Sequence, residues 1–263
     1  MKKKYLFFDI DGTLVAGGYD ASYIPDSTLL AIDKMRKAGH FLCIATGRSQ
    51  AMADGFRQRL NFENMISDGG NGLTLNGEFL GVIPLIKEDV VALIRECQRK
   101  GYPWSLQLDN SKVRCAPDES FQEATHDVYL KTRVVEGLDP ENCENIYKAY
   151  IACPEPKEQT LEALKKLPWC RYHKEYLFVE PTDKGNGIKR MMDHLQAPYE
   201  DVIVFGDNNN DLSMFLDDWY KVAMGNATDA LKAKADLITD TVDRDGLYKA
   251  CERLNLFDAE RME

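Results

Sequence analysis

Residues 5–9 form a short apolar and aromatic run that ends in the carboxylate of Asp9. Such a run is the pattern of a buried strand, apolar on both faces, in a parallel sheet. Pro25 and Asp26 then open a helical pattern through Leu29, Leu30, Ile32 and Met35, which Gly39 closes. A second apolar run over 41–45 leads into Thr46-Gly47-Arg48 and another helical stretch from about Ser49. Strand, helix, strand and helix in succession predict parallel pairing with right-handed crossovers. In open sheets of that kind ligands bind beyond the carboxyl ends of the strands, where Asp9 and Thr46 both fall.

The rhythm changes over 73–82, where two short strands flank Asn76-Gly77, a strong hairpin signal. A helix over 87–100 stopped by Gly101, strands over 104–108 and 112–115, a helix over 156–167 and a strand over 176–180 follow. At Lys184 the earlier alternation resumes with a helix to about Leu195, an apolar strand over 202–205, the polar run 206–211 and a further helix. Short strands near Val222 and Leu237, with a helix between them, complete the pattern. The expected architecture is α/β: a doubly wound parallel-sheet core from 1–83 and 183–263, interrupted by an inserted α/β domain over 84–182. No internal repeat or low-complexity segment is visible.

The composition is that of an ordinary globular protein, with 44% hydrophobic and 29% charged residues in 263. A formal net charge of −10 opposes general binding to nucleic acid or to an anionic membrane surface, because both need clustered cations. A phosphorylated metabolite is still accessible to an acidic protein if a metal ion, a few placed cations or backbone amides neutralise it locally. Seven cysteines without a C-x-x-C pair or zinc-type spacing predict reduced thiols. The basic start at residues 1–4 is followed by an apolar run too short for a signal peptide, and no run approaches the roughly 18 apolar residues of a membrane span. The expectation is a soluble, cytoplasmic protein.

Asp9-Ile10-Asp11-Gly12-Thr13 places two carboxylates on one side of a strand end, with Ile10 on the other. Two acids that close raise one pKa unless a cation lies between them, and Mg²⁺ prefers such oxygen ligands. Alone, the same residues also make an ordinary turn leaving a strand. Thr46-Gly47 offers a hydroxyl and a backbone amide to a phosphoryl oxygen. Lys184, at a helix start, offers an ammonium, with Lys189 as the competing lysine. Gly206-Asp207-Asn208-Asn209-Asn210-Asp211 gathers more oxygen-bearing side chains after an apolar strand than a helix cap requires.

With these residues in view, the chain resembles a haloacid dehalogenase superfamily phosphatase of the Cof-type branch, whose α/β cap lies between the second and third motifs. D-I-D-G-T, A-T-G-R, D-K-G-N-G and G-D-N-N-N-D occur in order and span most of the chain. The resemblance implies Asp9 as nucleophile and Asp11 as general acid and base. It implies Mg²⁺ held by the Asp9 carboxylate, the Asp11 main-chain carbonyl and Asp207. Thr46, Gly47, Lys184 and Asn210 would bind the transferring phosphoryl group, and Asp211 would orient the ligands of the metal. Asn226, in a stretch recurrent in the branch, reads as structural. Family members usually carry a longer link before the third-motif lysine than Glu180-Pro181-Thr182-Asp183 provides.

The implied activity is hydrolysis of small phosphate monoesters through a phospho-aspartate. A sugar phosphomutase and a non-catalytic phosphate-binding module are the alternatives, whereas a dehalogenase would leave Asp11 and the metal ligands unused. Trp104, Arg114, Tyr150, Trp169, Arg171, His173 and Tyr176 are candidate substrate contacts in the insert, although aromatic residues of such a domain are more often core.

Overall fold

The computed structural model describes residues 2–17 and 22–257. In chain order its elements begin β1 (Tyr5–Phe8), α1 (Asp26–Lys37), β2 (Phe41–Ala45), α2 (Gln50–Arg59), β3 (Asn64–Ser67), β4 (Gly72–Leu75) and β5 (Glu78–Val82). Next come α3 (Lys87–Lys100), β6 (Trp104–Gln107), β7 (Val113–Ala116), α4 (Ser120–Thr125), β8 (Lys131–Val134), β9 (Lys148–Ile151), β10 (Trp169–Cys170) and β11 (Leu177–Val179). The chain ends with α5 (Lys184–Leu195), β12 (Val202–Gly206), β13 (Tyr220–Ala223), α6 (Asp229–Lys232), β14 (Leu237–Ile238) and α7 (Gly246–Arg253).

Two compact units result, one from Met1–Arg48, Ala53–Gly81 and Asp183–Glu263, the other from Ser49–Met52 and Val82–Thr182. The first holds an eight-stranded sheet in the order β14-β13-β12-β1-β2-β3-β4-β5. Its strands from β14 to β3 run parallel, and β4 turns back antiparallel to β3. The α/β expectation holds, and the side-chain alternation of β1 shows why. Leu6 and Phe8 pack on one face with Ala31, Ile32 and Met35 of α1 and Leu247 and Ala250 of α7. Phe7 packs on the other with Ile188, Met191 and Met192 of α5. Strands buried on both faces need apolar residues at every position, which is the run read from the sequence.

The second unit carries a six-stranded sheet, β10-β11-β9-β6-β7-β8. One face packs Trp104, Leu106, Ala149, Ile151, Leu177 and Val179 against Val90, Leu93, Ile94 and Cys97 of α3. The helix expected over 156–167 does not form. Two short 3-10 turns, Lys157–Thr160 and Ala163–Lys166, stand there instead, with Leu161 extended between them. The Glu96 carboxylate of α3 accepts from the amides of Glu162 (3.1 Å) and Ala163 (2.9 Å), so it caps a new turn where a continuous helix would have run through. The helix expected after residue 211 is likewise a 3-10 stretch, Asn209–Met214. The seven cysteines are all free thiols. Among the described residues no helix is long and apolar enough to cross a membrane.

Arg114 is the most deeply buried charge of the second unit. Its guanidinium meets Asp127 Oδ2 at 2.6 Å, donates to Thr132 Oγ1 at 2.9 Å and lies over the Phe121 ring. Tyr176 donates its hydroxyl to Asp127 Oδ1 at 2.8 Å. Burial pushes the Asp127 carboxyl up, but the Tyr176 hydroxyl and the Arg114 guanidinium more than offset it and hold it below the usual carboxylate range. A carboxyl depressed in this way stabilises the fold above its unfolded pKa of about 4, and loses that contribution as pH falls through the folded value. Replacing Asp127 with Asn strands the buried guanidinium, for which a loss of about 3–5 kcal/mol is expected. Chemical denaturation at pH 7 measures the loss, and the variant's stability should depend less on pH below about pH 4 than that of the wild type.

Candidate active site

The candidate side chains of the first unit stand at strand ends and at the helix and turn starts that follow them. β1 delivers Asp9, whose amide donates to the Phe205 carbonyl of β12 at 3.0 Å. The chain then turns tightly, and Gly12 takes a φ of +84°. A Cβ on Gly12 would lie 2.2 Å from Asp207 Oδ2, so only glycine lets the loop after β1 approach the loop after β12. Thr46 follows directly on β2; it is 2% exposed and held by its amide to the Ile66 carbonyl at 2.9 Å. After β12, Asn208 caps the 3-10 turn, and the Asp211 side chain returns to the backbone in a capping box.

Lys184 brings these pieces together. It opens α5, which Asp183 caps by accepting from the Asn186 amide at 2.9 Å. The Lys184 Nζ, 1% exposed, donates to Asp9 Oδ1 and to Asp211 Oδ1, both at 2.6 Å. The second Asp211 oxygen accepts from the amides of Asp207 (2.8 Å) and Asn208 (3.1 Å). Asp211 is therefore satisfied by the protein at both oxygens. Among the described residues Asp207 has only long contacts, from Thr13 Oγ1 and Asn226 Nδ2, each at 3.3 Å.

Burial alone would push the Lys184 ammonium down, but Asp211 and Asp9 reverse that and hold it raised, so it stays charged. Burial and the neighbouring Asp211 push Asp9 well above the ordinary carboxyl range, and the same two causes bring Asp207 to about 7. Oxygens of Asp9, Asp207 and Asp211 lie within 4.8 Å of one another. Three carboxylates against one ammonium leave negative charge that a second cation relieves. An all-oxygen donor set with loosely held Asp207 fits a small hard divalent ion.

The remaining predicted residues belong to the same unit. Thr46 Oγ1 accepts from the Arg48 amide at 3.1 Å. A Cβ on Gly47 would meet open space. The Oδ1 of Asn210 is buried and without a hydrogen-bond partner in the protein, as an atom waiting for a ligand would be. Lys189 lies apart, paired with Asp218 at 2.9 Å. Asn226 does more than sequence reading gave it: its Nδ2 donates to the Gly12 carbonyl at 2.9 Å and reaches Asp207, while its Oδ1 accepts from the Val242 amide at 3.0 Å.

Arg48, which follows Thr46-Gly47 in the A-T-G-R motif, makes a contact that the sequence does not announce. Its Nε and Nη2 donate to Asp11 Oδ2 and Oδ1 at 2.9 and 2.8 Å, a two-pronged clasp on the carboxylate nearest Asp9 in sequence. Its place directly after Thr46-Gly47, at a strand end beside an acidic motif, was the available signal. Of the candidates in the second unit, Trp104, Arg114, Tyr150 and Tyr176 are buried within it. Arg171 pairs with Glu158 at 2.8 Å, His173 stacks on Tyr176, and Trp169 is 39% exposed.

The chain belongs to the haloacid dehalogenase-like hydrolases, whose family model matches residues 6–251. A crystal structure from Geobacillus kaustophilus HTA426 superposes with a TM-score of 0.82 at 30% identity, covering 97% of this chain and 100% of that one. The sugar phosphatase BT4131, of subclass IIB of the superfamily, superposes at 0.76 with 26% identity, covering 97% and 100%. YkrA of Bacillus subtilis (strain 168), named as a phosphatase, is 29% identical over 97% of this chain and 99% of its own length. Within the superfamily the chain is a phosphatase of the Cof-type branch.

Removing the shared ammonium should expose the repulsion it holds in check. Lys184→Met is expected to lose about 3–5 kcal/mol in metal-free buffer, since breaking a buried ion pair leaves uncompensated charge. Urea unfolding of variant and wild type measures this, and equal midpoints and slopes would refute the ammonium's part in holding the cluster.

Proposed function

We propose that the chain hydrolyses phosphate monoesters of small metabolites through a phospho-aspartate on Asp9, with Mg²⁺. The observation that carries this is the Lys184 ammonium held at 2.6 Å by both Asp9 and Asp211, with Asp207 alongside, at the ends of parallel strands. Asp9 Oδ attacks phosphorus as the bond to the leaving oxygen breaks, and Asp11 gives that oxygen its proton. A water then attacks the phosphorus, Asp11 takes its proton, and the bond to Asp9 breaks. Lys184, Thr46, the Gly47 amide and Asn210 hold the transferring group and meet the charge on its oxygens. A bound Mg²⁺, held by the carboxylates of Asp9 and Asp207 and the Asp11 carbonyl, would supply further neutralisation of that charge.

Thr46, Gly47, Lys184 and Asn210 all belong to the first unit. Two leaving-group chemistries head the panel to be tried. One is a sugar, from the relationship to BT4131. The other is a ribitylaminopyrimidine, because YitU of B. subtilis, 27% identical over 94% of this chain, is a 5-amino-6-(5-phospho-D-ribitylamino)uracil phosphatase. Neither nucleic acid nor a membrane is assigned as partner, consistent with the net charge of −10. The seven free thiols fit a reducing, cytoplasmic setting.

Phosphate release from the panel, with and without Mg²⁺, tests the reading. Asp9→Asn should retain under about 1% of activity, because an amide is a poor nucleophile and a weaker ligand. EDTA should silence the wild type and Mg²⁺ restore it. Full turnover in metal-free buffer would remove the metal from the reading, and substantial turnover by the Asn variant would remove Asp9 as nucleophile.

A further inference from the structure

We propose that Arg48 is the positioning residue for Asp11: its guanidinium fork fixes the carboxyl that exchanges protons with the leaving oxygen and the attacking water. The inference rests on the phosphatase reading and adds to it a residue to which nothing above assigns a part in the chemistry. Asp11 has a side chain 56% exposed, and a short exposed acid left to itself spreads over several rotamers in water. Arg48 removes that freedom by engaging both oxygens, at 2.9 and 2.8 Å, in the planar geometry that arginine offers and lysine does not.

Ordinary surface ion pairs contribute little, because both partners are long, mobile and hydrated. Arg48 is not in that condition. Its amide donates to Thr46 Oγ1 at 3.1 Å, and its carbonyl accepts from the Asp68 amide at 2.8 Å. Its guanidinium carbon lies 5.0 Å from the centroid of the Phe56 ring, and the side chain is only 18% exposed. The backbone that carries the clasp is thus the same turn that offers Thr46 and Gly47 to the phosphoryl group. One turn therefore sets both the phosphate cradle and the direction of the acid.

In the first half-reaction the leaving oxygen takes a proton from the Asp11 carboxyl as its bond to phosphorus breaks and the Asp9 oxygen bonds to phosphorus. In the second, water bonds to phosphorus and gives its proton to Asp11 as the Asp9 bond breaks. Each transfer requires Asp11 within hydrogen-bond reach, and a displacement of ~1 Å costs roughly 100-fold. In the first half-reaction the cost is felt where the leaving group needs its proton, and hardly at all where it departs as a stable anion; the water step is the same for every ester.

Arg48→Ala and Arg48→Lys, assayed with p-nitrophenyl phosphate and a simple alkyl phosphate beside wild type and Asp11→Asn, test the proposal. The Ala variant should lose roughly 100-fold in kcat/KM on the alkyl ester and at most about 10-fold in kcat/KM on the aryl ester, because kcat/KM reports transfer to Asp9 and the later water step is common to both. Lysine keeps the charge but not the fork, so it should recover only part of the alkyl loss. Intact mass of the Ala variant quenched during aryl turnover should show phosphoenzyme accumulating, since formation survives and hydrolysis slows. Equal loss of kcat/KM on both esters would overturn the proposal in favour of a structural role. So would a rise in KM together with weaker inhibition by inorganic phosphate at unchanged kcat, which would place Arg48 on the phosphate itself. If circular dichroism shows the Ala variant unfolded, Arg48→Lys and Phe56→Leu are to show the same ester-selective loss at smaller size, and its absence from both overturns the proposal. A wild type that releases no phosphate from any ester sinks the phosphatase reading. A selective loss in Asp11→Asn with none in the Arg48 variants sinks only this one.

Discussion

A single buried ammonium organises the first unit's chemistry. Lys184 bonds simultaneously to Asp9 from β1 and to Asp211 from the turn after β12, and without it two carboxylates would face each other in a place water barely reaches. Its position follows from packing. The Lys184 amide donates to Ser213 Oγ at 3.0 Å, and a Cβ on Gly185 would lie 2.1 Å from the Ser213 carbonyl, so the start of α5 is pressed against the 3-10 turn that carries Asp211. Glycine beside the lysine is what permits the approach. The charge that remains after this pairing is what a divalent ion held by Asp9 and Asp207 would relieve.

Much of the first unit was legible because its signals are local. Buried parallel strands leave uninterrupted apolar runs, the hairpin announces itself by Asn76-Gly77 with φ of +49° and +81°, and Gly39 and Gly101 close helices in left-handed conformations. What was missed depends on distant partners. β8, with sequence KTRV and mostly exposed, has no apolar period of its own and is a strand because β7 pairs with it. The turns at 157–166 broke where Glu96, more than sixty residues earlier, supplies a cap. Arg48 and Asp11 stand 37 residues apart, and Asn226 stands 214 from Gly12, separations at which no sequence pattern reports a contact.

The second unit shows a different solution to burying charge. Arg114, completely inaccessible, is satisfied by a carboxylate, a hydroxyl and an aromatic face. Lys148 and Glu180, both buried, pair at 2.5 Å on the same sheet. Hydrophobic residues of like volume would often give equal or greater stability, so such pairs contribute the selection of one register and one packing, since any other arrangement strands a charge.

The strand order has a consequence for the history of each molecule. β1 lies between β2, made soon after it, and β12, made some two hundred residues later, with Tyr5 opposite both Phe41 and Val202. During synthesis, at ~5–20 residues per second, the nascent amino-terminal strands wait with one edge of β1 bare for on the order of ten to forty seconds. The second unit's segment 82–182 emerges whole within that interval and can close its own sheet first. Asp9 meets Lys184 and Asp211 only when the last third of the chain arrives, so the nascent protein carries that carboxylate unpaired with them until its fold is nearly finished.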